Sequence, residues 1–336
     1  MLTVEVDIAA VRHNIIYIKN KIHTAFCAVV KADAYGHGIE KTSALIEDYV
    51  DCFAVATADE ALKLSAVGIR KNILILGCEN EIQSALPDNV IPTLCSASQV
   101  KAIEGKARAV SIAVNTGMNR IGCRPEELRS VVLEALNCGL GIRGIFTHFY
   151  NENDKIACAN QFSEFLSCTL PLRESVKCIH CCASNCLVLP EVYHLDMVRV
   201  GLAMYGYGYD GVKPAMKIYT IVVQINYVQA GERVGYGDYV AKNDMRLATI
   251  RVGYGDGFRR TDNVFVSING KRCNIVGRIC MDMCMADVTG VVCNIGDRAY
   301  VLGNGIEMED ICKIHNTISH EVLTMINGRA ERSYIE

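Results

Sequence analysis

The chain lacks any apolar run long enough to cross a membrane: none reaches the roughly 18 residues that a membrane helix needs. Its opening, MLTVEVDIAA, carries acidic residues and no basic n-region, so it does not have the form of a signal peptide. Internal repeats and low-complexity segments are missing as well. We therefore expect a soluble, cytoplasmic protein with no membrane segment.

A block of like charges is also lacking. The 34 basic and 37 acidic side chains give a net charge of −3, which provides no electrostatic attraction for nucleic acid. Hydrophobic residues make up 51% of the 336 positions, enough to bury the cores of one large domain and a smaller one, or of two ordinary domains.

Cysteine, by contrast, is abundant, with 17 residues. Neither the length of the chain nor its opening favours disulfides, so we predict free thiols that behave as small hydrophobic side chains. Most lie inside apolar runs, among them Cys27, Cys52, Cys95 and Cys178. The stretch CIHCCASNC, residues 178–186, also raises a metal-binding alternative through His180 and its neighbouring cysteines. Because no second ligand pair follows at a zinc-like spacing, we predict no metal.

Apolar strands alternate with helical patterns over the first 215 residues. An amphipathic helix is predicted over about residues 8–22, and segments such as TADEALKLSAVG have the charge, spacing and terminal glycine of helices. Strands are predicted near 26–31, 52–56, 72–76, 90–94, 109–114, 142–148, 177–182 and 197–200. Eight strands alternating with helices predict an α/β fold with a TIM-like (β/α)₈ barrel over residues 1–215.

The pattern changes after residue 215. Segments such as IYTIVVQINYV and VFVSINGKRCNIV alternate with period two between glycine turns. This pattern predicts a C-terminal antiparallel β domain over residues 216–336, with which residues 1–10 can pair.

The stretch AVVKADAYGHG, residues 28–38, ends an apolar strand in a lysine. Residues 28–30 have the character of a strand buried on both faces, and Gly36 and Gly38 mark a turn. On this stretch alone, Lys31 is either a surface lysine extending from a strand end or an amine in an apolar pocket. In a pocket, desolvation lowers the pKa of the amine and frees it to form a Schiff base.

Other polar groups follow the predicted strands, where barrel enzymes place their chemistry. They are Arg120, His148, Ser184 and the glycine of RVGLAMYG, Gly201. Each alone is explained as a turn residue or a satisfied strand-end group. Together with Lys31 they supply an amine, a phosphate site and ring-contact groups, a set that suits pyridoxal 5'-phosphate.

Six motifs resemble the alanine racemase family across the full chain. They are AVVKADAYGHG, NTGMNRIG, FTHF, MVRVGLAMYG, VGYGDGFRR and IVGRICMDM. The resemblance implies a racemase that uses pyridoxal 5'-phosphate and works as a homodimer with shared active sites. It also resolves the choice at Lys31, which matches the lysine that holds the cofactor as a Schiff base.

The resemblance implies a two-base reaction, because racemisation removes a proton from one face of the substrate and returns one to the other. Lys31 serves one face. Tyr254 of the partner subunit serves the other, and Met281 and Asp282 enter with it.

Cofactor contacts follow from the same resemblance. Arg199 bonds the pyridine nitrogen, where an arginine that stays protonated discourages a second proton and so disfavours transamination. Arg120 and His148 support the tyrosine and the phenol oxygen of the cofactor. The phosphate contacts are Tyr35, Ser184, Gly201 and Leu202.

The chain departs from the family pattern at three places. Ala113 replaces a lysine that is often carbamylated, and Asn115 replaces a common aspartate. Gly328, or Asn327 if the register slips by one, takes the place of a tyrosine beside the substrate pocket. The smaller residue leaves room for serine as well as alanine, as in the catalytic domain of the membrane-anchored serine racemases of vancomycin resistance.

Four alternatives stay open. They are a strict alanine racemase that makes D-alanine for peptidoglycan, a barrel-type pyridoxal phosphate decarboxylase, a non-catalytic pyridoxal phosphate carrier, and a metal-binding protein. The carriers lack a C-terminal β domain, and the decarboxylases require acidic groups to bind the distal amine of a basic amino-acid substrate. The metal reading depends on the cysteine-rich stretch.

Overall fold

A computed structural model describes residues 2–79, 82–326 and 328–336. The chain divides into two compact units. One unit is Ala10–Pro214, which we call the barrel unit. The other combines Met1–Ala9 with Ala215–Glu336 and is called the β unit.

The barrel unit is built on one sheet of parallel strands. After β1 (Thr3–Asp7), which belongs to the β unit, these strands are β2 (Ala25–Val29), β3 (Cys52–Val55), β4 (Ile73–Cys78), β5 (Val90–Leu94), β6 (Ala109–Ala113), β7 (Gly141–Phe146), β8 (Ile179–His180) and β9 (Met197–Val200). They pair in the order β8-β7-β6-β5-β4-β3-β2-β9. A parallel bridge between Ala183 and Arg199 joins the two ends, so the sheet closes into the expected TIM-like barrel.

The helices of this part of the chain lie between the strands, as a barrel requires. They are α1 (Ile8–Lys19), α2 (Ile39–Ile46), α3 (Ala58–Ala66), α4 (Val100–Ile103), α5 (Leu128–Asn137) and α6 (Lys155–Thr169). Thr57 caps α3 by accepting a hydrogen bond from the Glu60 N–H over 3.3 Å, and Asp154 caps α6 in the same way. Predicted and observed helices agree in place, although α1 ends at Lys19 rather than near residue 22.

Five predicted strands are one to four residues shorter in the structure, among them two beside residues of the predicted site. The strand expected at 177–182 is only Ile179–His180. After it, the Cys181 carbonyl accepts from the Arg199 side chain, and the Cys182 carbonyl accepts the Arg199 backbone N–H only within the isolated bridge that closes the sheet. The strand expected at 26–31 ends at Val29, and a turn begins at Lys31.

The β unit holds the remaining strands. They are β10 (Met216–Val228), β11 (Met245–Ile250), β12 (Phe265–Ile268), β13 (Lys271–Val276), β14 (Cys284–Asp287), β15 (Arg298–Leu302) and β16 (Glu331–Ile335). The pairs are antiparallel except β1 with β16, and β1 lies between β10 and β16. The expected C-terminal antiparallel sheet is therefore confirmed, and two helices absent from the expectation, α7 (Met308–His315) and α8 (Ser319–Thr324), accompany it.

Among the described residues, no helix combines the length and the apolar character that crossing a bilayer requires.

Candidate active site

Lys31 opens a left-handed turn at the carboxyl end of β2. Ala32, Asp33, Ala34 and Tyr35 all have φ between 52° and 56°, a conformation that costs an L-residue roughly 1–2 kcal/mol each. Gly36 ends the turn with φ 79°. Four strained residues in a row persist only because the surrounding structure holds them.

Two carboxylates hold this turn. Glu60 accepts hydrogen bonds from the N–H groups of Ala32 and Ala56, each over 2.7 Å. Asp33 accepts from the Ile39 N–H over 2.8 Å at the start of α2. Sequence reasoning missed Glu60, although its spacing after Thr57 in TADE is the signal of a capping box.

Lys31 is half-buried, and its pKa is lowered chiefly by burial and next by the nearby charge of Arg120. Arg199 lowers it further, whereas Glu60 opposes the shift. Desolvation and neighbouring cations both favour the neutral amine. The site therefore increases the fraction of Lys31 that is a nucleophile and a base at neutral pH.

Arg199 lies in β9 and is completely buried within a set of hydrogen-bond acceptors. Its Nη1 donates to Nδ1 of His180 over 2.5 Å, and its Nη2 donates to the carbonyls of Thr147 over 2.8 Å and Cys181 over 3.0 Å. Its Nη2 also donates to Nδ1 of His148 over 3.3 Å. None of these four partners is a carboxylate. Burial lowers the pKa of the guanidinium, yet an arginine stays protonated in proteins.

His148 follows β7 and has a pKa lowered to about 3, first by burial and then by Arg199, Arg120 and Lys31. It is thus a neutral imidazole at physiological pH. His180, stacked on Phe146, is likewise neutral because burial and Arg199 lower its pKa. Neither His180 nor Thr147 was identified as an Arg199 partner from the sequence, since contacts between neighbouring strands that are distant along the chain leave no local pattern.

Ser184, Gly201 and Tyr35 converge after β8 and β9. Oγ of Ser184 accepts from the N–H groups of Gly201 over 2.9 Å and Ala203 over 3.4 Å. A Cβ on Gly201 would lie 2.5 Å from the hydroxyl of Tyr35, so only glycine fits there. Burial raises the pKa of Tyr35 to about 12 and keeps its hydroxyl protonated. Leu202 is buried beside them.

Tyr254 lies in the β unit and is 46% exposed. Its N–H donates to the Cys280 carbonyl over 3.1 Å, and the Gly255 N–H donates to Met281 over 2.8 Å. A Cβ on Gly253 would lie 2.3 Å from the Cys280 and Met281 carbonyls, which explains why the GYGDG motif needs that glycine. Arg329 donates to Asp282 over 2.8 Å and lies 3.5 Å from Asp256, so it links the loop that carries Tyr254 to the segment that carries Asp282.

Two predicted positions remain, the alternatives Gly328 and Asn327. Gly328 is exposed, and a Cβ built on it meets no atom within 4 Å. Asn327 lies outside the described residues. Thus Lys31, Tyr35, Arg120, His148, Ser184, Arg199, Gly201 and Leu202 belong to the barrel unit, and Tyr254, Met281, Asp282 and Gly328 belong to the β unit.

Three comparisons bear on identity. The family model described as alanine racemase, N-terminal domain, matches residues 6–208, and the C-terminal domain model matches residues 215–334. An alanine racemase of Desulfosudis oleivorans is 36% identical over 98% of this chain and 95% of its own. The solved alanine racemase of Clostridium difficile 630 is 31% identical with a TM-score of 0.90, covering 99% of this chain and 95% of its own.

The chain belongs to the alanine racemase family. A Bacillus anthracis alanine racemase solved with bound L-Ala-P, 30% identical with a TM-score of 0.91 over 99% of this chain and 94% of its own, is similar as well. Membership confirms the expected class, an amino-acid racemase that depends on pyridoxal 5'-phosphate. The C-terminal match also separates the chain from single-barrel carriers.

The residues present fit the family's cofactor. A Cβ on Gly201 would meet the Tyr35 hydroxyl, so the backbone is bare at this point. The N–H groups of Gly201 and Ala203 converge on one oxygen, the hydroxyl of Ser184. This donor set suits a phosphate. Arg199, with no carboxylate among its four partners, supplies a cation at a buried position.

Two departures from the family pattern have local explanations. Ala113 is buried at the end of β6. Asn115 organises the next loop, because its Oδ1 accepts from the N–H groups of Gly117 over 3.1 Å and Asn119 over 2.9 Å. An aspartate could accept the same two bonds, but only the amide can also donate to Asn119 Oδ1 over 2.9 Å.

The metal-binding alternative gains no support from these contacts. His180 accepts from Arg199, and the Cys181 thiol donates to the Tyr193 carbonyl over 3.1 Å. Within the part of the chain that the structure describes, no three His, Cys, Asp or Glu side chains are placed to hold a metal ion.

Proposed function

We propose that this racemase interconverts the L and D forms of alanine and serine by a two-base reaction in a homodimer. The observation that carries the proposal is Lys31, a half-buried amine whose pKa is lowered at the end of a barrel strand beside Arg120, His148 and Arg199.

Lys31 would hold the cofactor, and Tyr35, Ser184, Gly201 and Leu202 would hold its phosphate. The bound pyridoxal ring withdraws electrons from the substrate α-carbon, which makes the α-proton easier to remove. Arg199 would face the ring nitrogen with a group that does not give up its proton. That contact restrains the ring as an electron sink and so disfavours transamination.

The two bases would stand on opposite faces of the substrate. Lys31 removes or returns the α-proton on one face, since its lowered pKa favours the free amine. Tyr254 of the partner subunit serves the other face. Its exposed side chain, held by a glycine-rich loop against Cys280 and Met281, supports a role outside its own unit. Arg120 and His148 would position this tyrosine and the ring.

Serine joins alanine in the proposal because of Gly328. A position with no atom within 4 Å of a Cβ leaves space where the family usually has a tyrosine. One extra substrate group is worth only about 1–3 kcal/mol in a pocket of the right size. The names of the relatives favour the second candidate, a strict alanine racemase.

The test pairs an assay with a chemical label. L-alanine and L-serine are incubated separately with protein purified in the presence of pyridoxal 5'-phosphate, and the enantiomers are separated. Borohydride reduction and peptide mapping should then locate the cofactor on Lys31. Lys31→Ala should abolish the label and the activity, whereas Lys63→Ala, at an exposed lysine of α3, should keep both. A label on another lysine would overturn the assignment, and the absence of serine turnover would leave alanine alone.

A further inference from the structure

Two thiols meet at the carboxyl ends of neighbouring barrel strands. Cys78 is the last residue of β4, and Cys95 follows β5 by one residue. The strands are parallel, and Cys78 pairs with Thr93 in their register. Both thiols are half-buried, and they hydrogen bond to each other.

Gln99 fixes the polarity of this pair. The backbone N–H of Cys95 donates to Oε1 of Gln99 over 2.7 Å. Because a backbone N–H can only donate, the oxygen of the amide faces Cys95. The amide nitrogen is then directed at Cys78, and Nε2 to Sγ is 2.9 Å. Oε1 also accepts a hydrogen bond from the Cys78 thiol over 3.3 Å. Gln99 therefore offers this sulfur an acceptor for the thiol and, at the shorter distance, an N–H donor that stabilises the thiolate.

Hydrogen bonding lowers the pKa of Cys78 to about 6, chiefly through the Cys95 thiol; burial opposes this shift, and the Gln99 amide adds a smaller lowering effect. The same pairing raises the pKa of Cys95. Other thiols move the opposite way from Cys78, because burial raises the pKa of Cys168 to about 11 and of Cys123 to about 12. One thiolate and one adjacent thiol are the components of a reactive pair.

The pair is linked to the loop that carries Arg120. The backbone N–H of Gly122 donates to the Cys95 sulfur. That loop is closed by the Cys123 N–H, which donates to the Ala113 carbonyl over 3.0 Å, and by the Asn115 N–H, which donates to the Cys123 carbonyl over 2.9 Å. A change at Cys95 therefore acts directly on the backbone two residues from Arg120.

We propose that Cys78 and Cys95 form an oxidation site that reacts with hydroperoxides and closes to a reversible disulfide. In the first step the Cys78 thiolate attacks one peroxide oxygen, the O–O bond breaks, and the departing hydroxide takes a proton to become water. Cys78 is now a sulfenic acid. The Cys95 sulfur then attacks the Cys78 sulfur, the S–O bond breaks, and the hydroxyl leaves as water with the thiol proton of Cys95. Two thiols are oxidised and one hydrogen peroxide is reduced to two waters.

The first experiment measures reactivity at pH 6.5 on the intact holoenzyme with iodoacetamide and peptide mapping. At this pH the thiolate fraction of a thiol with a pKa of about 6 is roughly 200-fold larger than that of a thiol with a pKa near 9. The less basic thiolate is also the weaker nucleophile, which reduces its rate constant by a factor of about 20. We therefore expect Cys78 to be alkylated about 10-fold faster than Cys138, a half-buried cysteine whose pKa is raised. Gln99→Leu should slow Cys78 specifically. Equal rates at the two cysteines would overturn the proposal.

The second experiment adds hydrogen peroxide and maps disulfides without reduction. The expected product is a Cys78–Cys95 linkage that dithiothreitol reverses. Cys95→Ser should stop at a sulfenic acid that dimedone traps on Cys78, Cys78→Ser should give neither product, and Cys138→Ser should behave like the unaltered protein. Dimedone on other cysteines, or a linkage that excludes Cys78, contradicts the proposal. These readouts do not depend on racemase activity, so they stand or fall separately from the proposed function.

Discussion

Nη2 of Arg199 donates to Nδ1 of His148 over 3.3 Å, and this contact determines where the imidazole carries its proton. A guanidinium cannot accept a hydrogen bond, so Nδ1 must be the unprotonated nitrogen. In the neutral ring the proton is then on Nε2. Arg199 therefore makes His148 a donor on the side away from β9.

Stability should depend on pH through His148. Its pKa is lowered to about 3 in the folded protein, while the unfolded chain has an ordinary histidine near 6.5. Between these values the unfolded state binds more protons, so the free energy of unfolding falls as the pH falls. The full effect is about 1.4 kcal/mol per pH unit, and we expect roughly half because His148 is half-buried.

Urea midpoints measured from pH 7 to pH 4.5 check this expectation. His148→Gln should flatten the acid side of the stability curve, whereas His23→Gln, at an exposed histidine, should leave its slope unchanged. If His148→Gln and the unaltered protein lose stability in parallel, the histidine is already charged in the fold.

Glu60 should stabilise the left-handed turn. Glu60→Gln replaces one acceptor oxygen by an amide that faces a backbone N–H, leaving either Ala32 or Ala56 without its 2.7 Å bond. The loss costs about 0.5–1.5 kcal/mol at the exposed Ala32 N–H, where water replaces the acceptor, and about 1–3 kcal/mol at the half-buried Ala56 N–H. Denaturant unfolding should show a loss in one of these ranges, with Asp59→Asn in the same helix near zero. Equal unfolding midpoints for the two variants would mean that the turn does not depend on Glu60.

Activity should require two different subunits if the sites are shared. Lys31→Ala and Tyr254→Phe proteins should each be inactive alone. After subunit exchange, a mixed dimer should contain one intact site and recover a fraction of the activity, up to about a quarter of the native value for random pairing. Mixing two batches of Lys31→Ala is the control. Exchange demonstrated by differently tagged chains without any recovery would refute sharing.

The pocket argument makes a separate prediction at Gly328. Open space around this position allows Gly328→Tyr to fold, and the larger side chain should lower kcat/KM for serine about 10-fold more than for alanine. Gly328→Ala is the matched small control, and Asn327→Tyr tests the alternative register. An unchanged serine-to-alanine ratio in both tyrosine variants would show that neither position borders the substrate.

Much of the barrel could be predicted because its strands are continuous apolar runs. Val90–Leu94 and Met197–Val200 lie where the pattern placed them, since parallel strands are buried on both faces. The turn after Lys31 could not be predicted, because the two alanines and the tyrosine of ADAY disfavour positive φ and only Asp33 tolerates it. Contacts from Glu60 and from Asp33 to Ile39 impose it.

Contacts between residues far apart in the chain also could not be predicted at the site. Lys31, His148 and Arg199 could be placed at strand ends from the pattern and the family motifs. The four hydrogen-bond partners of Arg199, however, all lie at the ends of β7 and β8, and two of them are carbonyls: Thr147, His148, His180 and Cys181. Carbonyls have no signature in a sequence, so only the closed sheet reveals them.

The position of β1 has a consequence for synthesis of the chain. Thr3 pairs with Tyr219 and Glu331, so β1 leaves the ribosome before its partners, which are made more than 200 residues later. During that interval the strand has two unpaired edges, which is the condition for pairing with another nascent chain. Spacing between ribosomes, or a chaperone that covers residues 3–7, would then control the yield of folded protein.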